Sequence, residues 1–245
     1  MKLDYYTICP KHYVDIVEKS QFHLVIAQWL RDKTFRVQMK KLHAAGHKFI
    51  IDNGAYEYGE AMPDEEYWDI VANFKPEIVV APDVYRDGIE TVNRTGRFLK
   101  EMDDRMMETR FEVMGVPQGK TIIEWIKCYE TMASEVDVIG LPMGQWYDTT
   151  GVVRAFLASS VDKLREPRFH LLGLWNLEEL KLHKDNPRVQ SMDTSFPFKL
   201  AQFMKKFGDD SVLSLKMDWE LPLNDKVHEL AELNLKELQN YIKEV

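Results

Sequence analysis

An eight-stranded parallel β/α barrel is the fold this sequence predicts, as a single domain over residues 1–245 with a short C-terminal appendage. Three observations predict it. Short runs rich in Val, Ile and Leu recur eight times along the chain. They mostly lack polar alternation, which suits strands covered on both faces. Segments of helical spacing separate them, and no linker or low-complexity stretch interrupts the alternation. A doubly wound open sheet is the competing arrangement of the same pattern.

The strand-like runs fall at Tyr5–Cys9, His23–Ala27, Lys48–Asp52, Ile78–Asp83, Phe111–Val116, Val136–Leu141, Phe169–Leu174 and Val189–Asp193. Between the third and fourth, Pro63 followed by Asp64, Glu65 and Glu66 opens a helix, with proline and acids in the first turn. Between the fifth and sixth, Thr121–Ser134 sets Ile122, Ile123, Trp125, Ile126 and Tyr129 at mostly helical spacing. Gly151–Leu164 and Leu177–His183 repeat the pattern around the seventh run. Beyond Asp209 a further strand, Val212–Met217, and a charged C-terminal helix are expected as the appendage.

Composition narrows the function classes. The hydrophobic fraction of 45% supports a large core. A formal charge of −8 argues against a protein that coats polyanions generally, though a local basic patch can still hold one. Cys9 and Cys128 form no disulfide framework and no zinc spacing, so no metal is expected and a reduced compartment is. No signal peptide or membrane-length apolar run is read, which makes the cytoplasm the expected location.

In such barrels the chemistry gathers at the C-terminal ends of the strands. Here those ends carry Asp52, Asp83, Gln118 with Gly119, Gly140-Leu141-Pro142-Met143-Gly144, Gly173-Leu174-Trp175-Asn176, and Asp193. Three acids and an amide would therefore share one mouth. Paired carboxylates suit substitution at a sugar carbon. Aspartate can accept the two N–H donors of a guanine-like edge, and glycine lets backbone approach a flat ligand. Each residue also has a plainer role open to it. Asp52, Asp83 or Asp193 could cap a helix, Asp83 the one beginning near Asp87. Gln118 could satisfy loop backbone, and Tyr56, Trp146 and Trp175 could serve packing.

These blocks, in this order, resemble the tRNA-guanine transglycosylase superfamily. The family's Asp-Ser-Gly-Gly-Phe-Gln block is similar to Asp52–Glu57, and its Gln-Gly-Gly turn to Gln118-Gly119-Lys120. Its Gly-Gly-Leu-Ala-Val-Gly turn resembles Ile139–Gly144, and His170-Leu171-Leu172-Gly173 matches its His-Leu-Leu-Gly run. Its nucleophile block, Asp-Cys-Val-x-Pro-Thr-Arg, resembles Asp193–Lys199. The family's zinc site of three cysteines and a histidine is absent, Gln145 stands where a glutamate is usual, and the tRNA-binding insertions are missing. The pattern is closest to shortened relatives from phages and bacterial DNA-modification clusters, which insert 7-deazaguanines into DNA.

The resemblance implies replacement of guanine by a 7-deazaguanine base, such as preQ0 or a derivative. Asp193 would attack C1′, and Asp52 would handle protons as one base leaves and the other enters. Asp83, Gln118 and Gly119 would hold the purine edge, with backbone around Gly140, Leu141 and Gly144 near its carbonyl and Tyr56 or Trp146 stacked on its face. It implies no cofactor, and DNA as partner with tRNA as the alternative, in a bacterial or phage-infected cell. Arg31, Arg36, Lys40 and Lys41, in a basic stretch that runs on to Lys48, and Lys199 are the phosphate-contact candidates. An exchanger or hydrolase of free nucleosides, an enzyme of phosphorylated metabolites and an inactive base-binding module are the rival readings.

Overall fold

The computed structural model describes residues 3–8, 10–105, 111–143, 151–161, 167–174, 176–212, 215–221 and 224–244. Its strands are β1 (Asp4–Ile8), β2 (Phe22–Ile26), β3 (Lys48–Asp52), β4 (Ile78–Val80), β5 (Glu112–Gly115), β6 (Val138–Pro142), β7 (Arg168–Leu172) and β8 (Val189–Thr194). They pair in sequence order, all in parallel, and β8 returns to β1 to close the barrel. The helices are α1 (Val14–Val17), α2 (Lys33–Ala44), α3 (Ala55–Tyr58), α4 (Asp64–Phe74), α5 (Gly88–Asp104), α6 (Ile122–Met132), α7 (Val152–Ser160), α8 (Glu179–His183), α9 (Phe196–Gln202) and α10 (Asp225–Glu244). The open-sheet alternative is thereby excluded.

The continuous apolar runs are explained by their two covered faces. Phe49 of β3 packs outward on Phe74 of α4, with ring centroids 5.0 Å apart. On the inner face Tyr6, Phe22 and His170 meet across strands, Tyr6 lying 5.2 Å from Phe22 and 5.7 Å from His170. The outer helices follow their sequence signals. Thr121 caps α6 by accepting the Glu124 N–H. That helix buries Trp125, Cys128, Tyr129 and Met132, spaced to line one face. Full burial of side chains this large contributes about 2–3 kcal/mol each.

Two sequence expectations change at the C-terminus and along the basic stretch. No strand forms at Val212–Met217 among the described residues. Asp210–Val212 is a 3₁₀ turn, and Val212 is buried against Phe196 and Leu200. A closed barrel has no free edge for a ninth strand to join. The C-terminal helix α10 packs on α9, and its buried Asn234 is hydrogen-bonded at both ends. Its amide donates to the Lys205 carbonyl at 3.0 Å, and its oxygen accepts the Phe207 N–H at 2.8 Å. The basic stretch, for its part, runs from the mouth to the opposite pole. Lys48 begins β3 at the far end of the barrel, over the Phe22 ring. Among the described residues no helix is long and apolar enough to cross a membrane.

Candidate active site

Asp52 and Asp193 end β3 and β8 and therefore stand at the same mouth of the barrel. Asp193 is buried and held by two donors. His170 on β7 bonds its Oδ1 through Nε2 at 2.9 Å, and the Gly173 N–H reaches its Oδ2 at 3.1 Å. Gly173 is left-handed, φ 67°, a conformation that glycine tolerates without strain and that turns its N–H toward the carboxylate. The other nitrogen of His170, Nδ1, lies 2.8 Å from the Ser191 hydroxyl. If Ser191 donates to Nδ1, Nε2 carries the proton and donates to Asp193. A Ser191–His170–Asp193 chain thus fixes the orientation of the carboxylate, and each carboxylate oxygen keeps a second lone pair. α9 starts after Ser195 without a side-chain cap bond, and Asp193 is not its cap; the Thr194 hydroxyl accepts the Phe196 N–H at 2.9 Å.

Asp52 accepts the Gly54 N–H at 2.6 Å, so the turn-capping role is part of its function. Gly54 is left-handed, φ 77°, and a Cβ there would strike the Gln28 amide. Burial pushes the Asp52 carboxyl well above its usual range, and the charges of Glu57, Asp83 and Asp193 push in the same direction. The Gly54 N–H opposes them. A carboxyl of this kind holds its proton nearer neutrality, as a general acid must.

Asp83, in the loop after β4, is buried and grips two amides. Asn53 Nδ2 donates to Oδ1 at 2.9 Å and Gln118 Nε2 donates to Oδ2 at 2.7 Å. Asp83 does not cap α5, a role taken by Asp87. Burial raises the Asp83 carboxyl against those two bonds. Gln118 also accepts the Arg86 N–H through Oε1 at 3.2 Å. Asp83 and Gln118 are thus brought together, as the strand-end reading expects. Glu57 on α3 completes the acidic cluster. Glu57 is exposed overall. Partial desolvation of its carboxyl, with the charges of Asp193 and Asp83, pushes it up to about 7.

Other predicted site residues fare differently. Gly119 lies against the first turn of α6, where a Cβ would meet the Trp125 nitrogen. The space in front of Gly140 is filled by Leu172, Met114 and Val116, so this glycine serves barrel packing and not ligand approach. The Leu141 side chain is buried and its carbonyl accepts from Arg154 at 2.8 Å; the Met143 N–H is spent on the Leu172 carbonyl. These strand-end groups are therefore already occupied. Gly144 and Trp146 lie outside the described residues. Tyr56 is exposed on the rim.

The basic candidates occupy different surroundings. Arg31 is engaged by a two-pronged bond to Glu66, at 2.7 Å on each side. Arg36 and Lys40 line a cavity of about 240 Å³ whose other wall carries Glu66 and Asp69. Lys199 is 8% exposed, and burial lowers its ammonium. A buried amine is poorly placed to meet a phosphate outside. Lys41, on α2, retains the surface position that the reading requires. Cys128 is a free, buried thiol, pushed up to about 11 by that burial. Among the described residues, no group of three or more His, Cys, Asp or Glu is arranged to hold a metal ion.

The acid cluster has a consequence for stability. A folded carboxyl raised above its unfolded value near 4.3 binds more protons in the folded state, so stability falls as pH climbs from about 4.5 through 7. His23, lowered from 6.5 to about 3 by burial and by His47, acts with the opposite sign between those values and so overlaps this window. The informative quantity is therefore the difference between wild type and Glu57→Gln. We expect the two to unfold alike near pH 4 and the Gln variant to become the more stable by pH 8. Parallel melting curves across that range would show Glu57 to be uncoupled from the cluster.

No family model and no curated protein matches the chain. Similarity appears only among solved structures. An oxaloacetate acetylhydrolase in complex with 3,3-difluorooxalacetate superposes with a TM-score of 0.55 at 13% identity, covering 99% of this chain and 93% of its own. A cube-shaped, highly porous designed protein cage gives a TM-score of 0.50 at 11% identity, covering 100% and 75%. At such identities the likeness concerns the fold alone.

Proposed function

We propose that the protein is an enzyme, a transglycosylase that replaces guanine in DNA with a 7-deazaguanine base. The observation that carries this reading is the pair of strand-end aspartates in one mouth with different surroundings. Asp193 is buried and held by His170 and Gly173, one donor on each carboxylate oxygen. Asp52 is raised by burial and by its acidic neighbours. That division suits a nucleophile and a proton carrier.

In the proposed reaction a nucleotide enters the mouth extruded from its stack. Asp83 and Gln118, already joined, hold the purine edge, and Tyr56 covers its face. Asp193 forms a bond to C1′ as the bond to guanine N9 breaks, and Asp52 delivers a proton to the departing base. The 7-deazaguanine then attacks C1′ and gives up its proton to Asp52, releasing Asp193. Two inversions leave the sugar stereochemistry retained. No residue in this scheme requires a metal or cofactor.

The test is incubation of DNA and of tRNA with the protein and isotope-labelled 7-deazaguanines, followed by nucleoside mass spectrometry. Label in DNA is the expected result. Label in tRNA alone would move the substrate, and label in free nucleosides alone would favour the rival exchanger, which the acidic mouth and the charge of −8 favour. Label in none would end the proposal.

A further inference from the structure

We infer that His170 is a positioning residue that keeps the covalent stage of the reaction short, by stabilising the free Asp193 carboxylate more than the glycosyl ester it becomes. The inference rests on the base-exchange reading and adds what decides the fate of the intermediate. The mechanism gives His170 no task beyond holding the carboxylate still.

The barrel is irregular where this contact is made. Phe169 of β7 pairs with Val189 of β8, but the next residue, His170, pairs with Ser191 and not with Gln190. One extra residue in β8 thus brings Ser191 beside the imidazole, and Asp193, two positions on, reaches the same ring from the same face. Without that shift His170 would stand opposite Gln190. On the other flank Tyr6, which pairs with Asp193 across β1 and β8, sets its ring edge-on to His170 at 5.7 Å and 71°. The imidazole is fully buried. Strand register and packing therefore aim Nε2 at Oδ1.

Charge supplies the chemistry. An ionised carboxylate only accepts hydrogen bonds, so Nε2 bears the proton. A Ser191 hydroxyl donating to Nδ1 strengthens that donor, because linked hydrogen bonds polarise one another. When Asp193 closes its bond to C1′, the negative charge of the carboxylate is lost. If Oδ1 becomes the ester oxygen, the Nε2–H loses most of its acceptor. If Oδ2 does, Oδ1 remains as an ester carbonyl and accepts a weaker, uncharged bond. Either way the His170 bond is stronger before the adduct forms and after it breaks. In the return step N9 of the incoming base bonds to C1′, the C1′–Asp193 bond breaks with its electron pair returning to the carboxylate, and the proton of the base passes to Asp52. His170 favours that return. The difference between a charged and a neutral hydrogen bond shifts the balance between adduct and free enzyme by about tenfold.

The test uses the full chain and guanine-containing DNA, with the 7-deazaguanine withheld and guanine added back in increasing amounts. Each protein is assayed at the pH of its highest adduct yield. The guanine concentration that halves the adduct on a denaturing gel reads the balance. His170→Phe should need about tenfold more guanine than wild type, while its overall exchange slows. His170→Gln, whose amide nitrogen can stand near the place of Nε2, should need about as much as wild type. A role in folding alone would lower adduct and turnover together and leave the midpoint in place. Ser191→Ala keeps the ring and changes a half-buried residue. It should move the midpoint the same way by a smaller factor, and it decides the matter if His170→Phe does not fold. A midpoint unchanged or lowered in folded His170→Phe, or raised equally in His170→Gln, would overturn the inference and leave base exchange standing. If DNA gives no adduct, tRNA takes its place in the same assay. No adduct from wild type with either would end the base-exchange reading and this inference with it.

Discussion

Asp193→Asn is expected to abolish base exchange, by about 10⁴-fold or more, in a protein that still folds. The carboxylate is needed because C1′ becomes oxocarbenium-like as the base departs, and only an anion there can trap it covalently. Asparagine fits the same space. Its oxygen can accept the Gly173 N–H, and its amide can face His170 if the imidazole moves its proton from Nε2 to Nδ1. Ser191, 2.8 Å from Nδ1, then accepts instead of donating. The rearrangement keeps a partner for each group that Asp193 now engages, so base binding and melting temperature should stay near wild type. Asp52→Asn should cost less, about 10²–10⁴-fold, because its role is proton transfer. It should still form some covalent adduct. A denaturing gel of enzyme and DNA, with the incoming base withheld, separates the two. We expect an adduct from wild type, a fainter one from Asp52→Asn and none from Asp193→Asn. Near-normal turnover by Asp193→Asn would return Asp193 to a structural role.

Much of this was legible in the sequence because a closed parallel barrel writes itself twice. Its strands are apolar on both faces, and its functional groups stand immediately after them. Asp52, Asp83, Gln118 and Asp193 were accessible for that reason. What was not legible depends on pairing across distance. His170 sits in an apolar strand, where a histidine reads as core, and only the closed register carries it to Asp193. Asn53 follows Asp52 in the chain, and only the fold brings its amide to Asp83. Arg31 read as a phosphate contact because Glu66, its partner, lies on another helix. Gly140 read as a ligand cradle because its fillers come from β5 and β7. The expected strand at Val212–Met217 had the right residues and no edge to join.

Arg154→Met is expected to produce the largest loss of stability of any single substitution considered. Arg154 on α7 and Glu179 on α8 are 4% and 0% exposed, and the guanidinium meets both carboxylate oxygens. Burial alone would raise Glu179, but the bonds from His183 and Arg154 hold it below its usual value. Removing the guanidinium leaves a buried charge and the Leu141 carbonyl without their donor, and leaves the Leu172 carbonyl with the Met143 N–H alone. Breaking a buried pair in this way costs about 3–5 kcal/mol. For a domain of this size that corresponds to a fall in melting temperature of roughly 6–20 °C. The double variant Arg154→Met with Glu179→Leu should recover most of the loss, because it leaves no unpaired charge. Calorimetry of the three proteins decides the matter, and a single variant as stable as wild type would show the pair to be dispensable. The effect should also reach the site. Leu172 immediately precedes Gly173, whose N–H holds Asp193, so the clamp that ends β7 also positions the proposed nucleophile. Exchange by the double variant, measured where it is fully folded, should therefore remain below wild type even though its stability is restored.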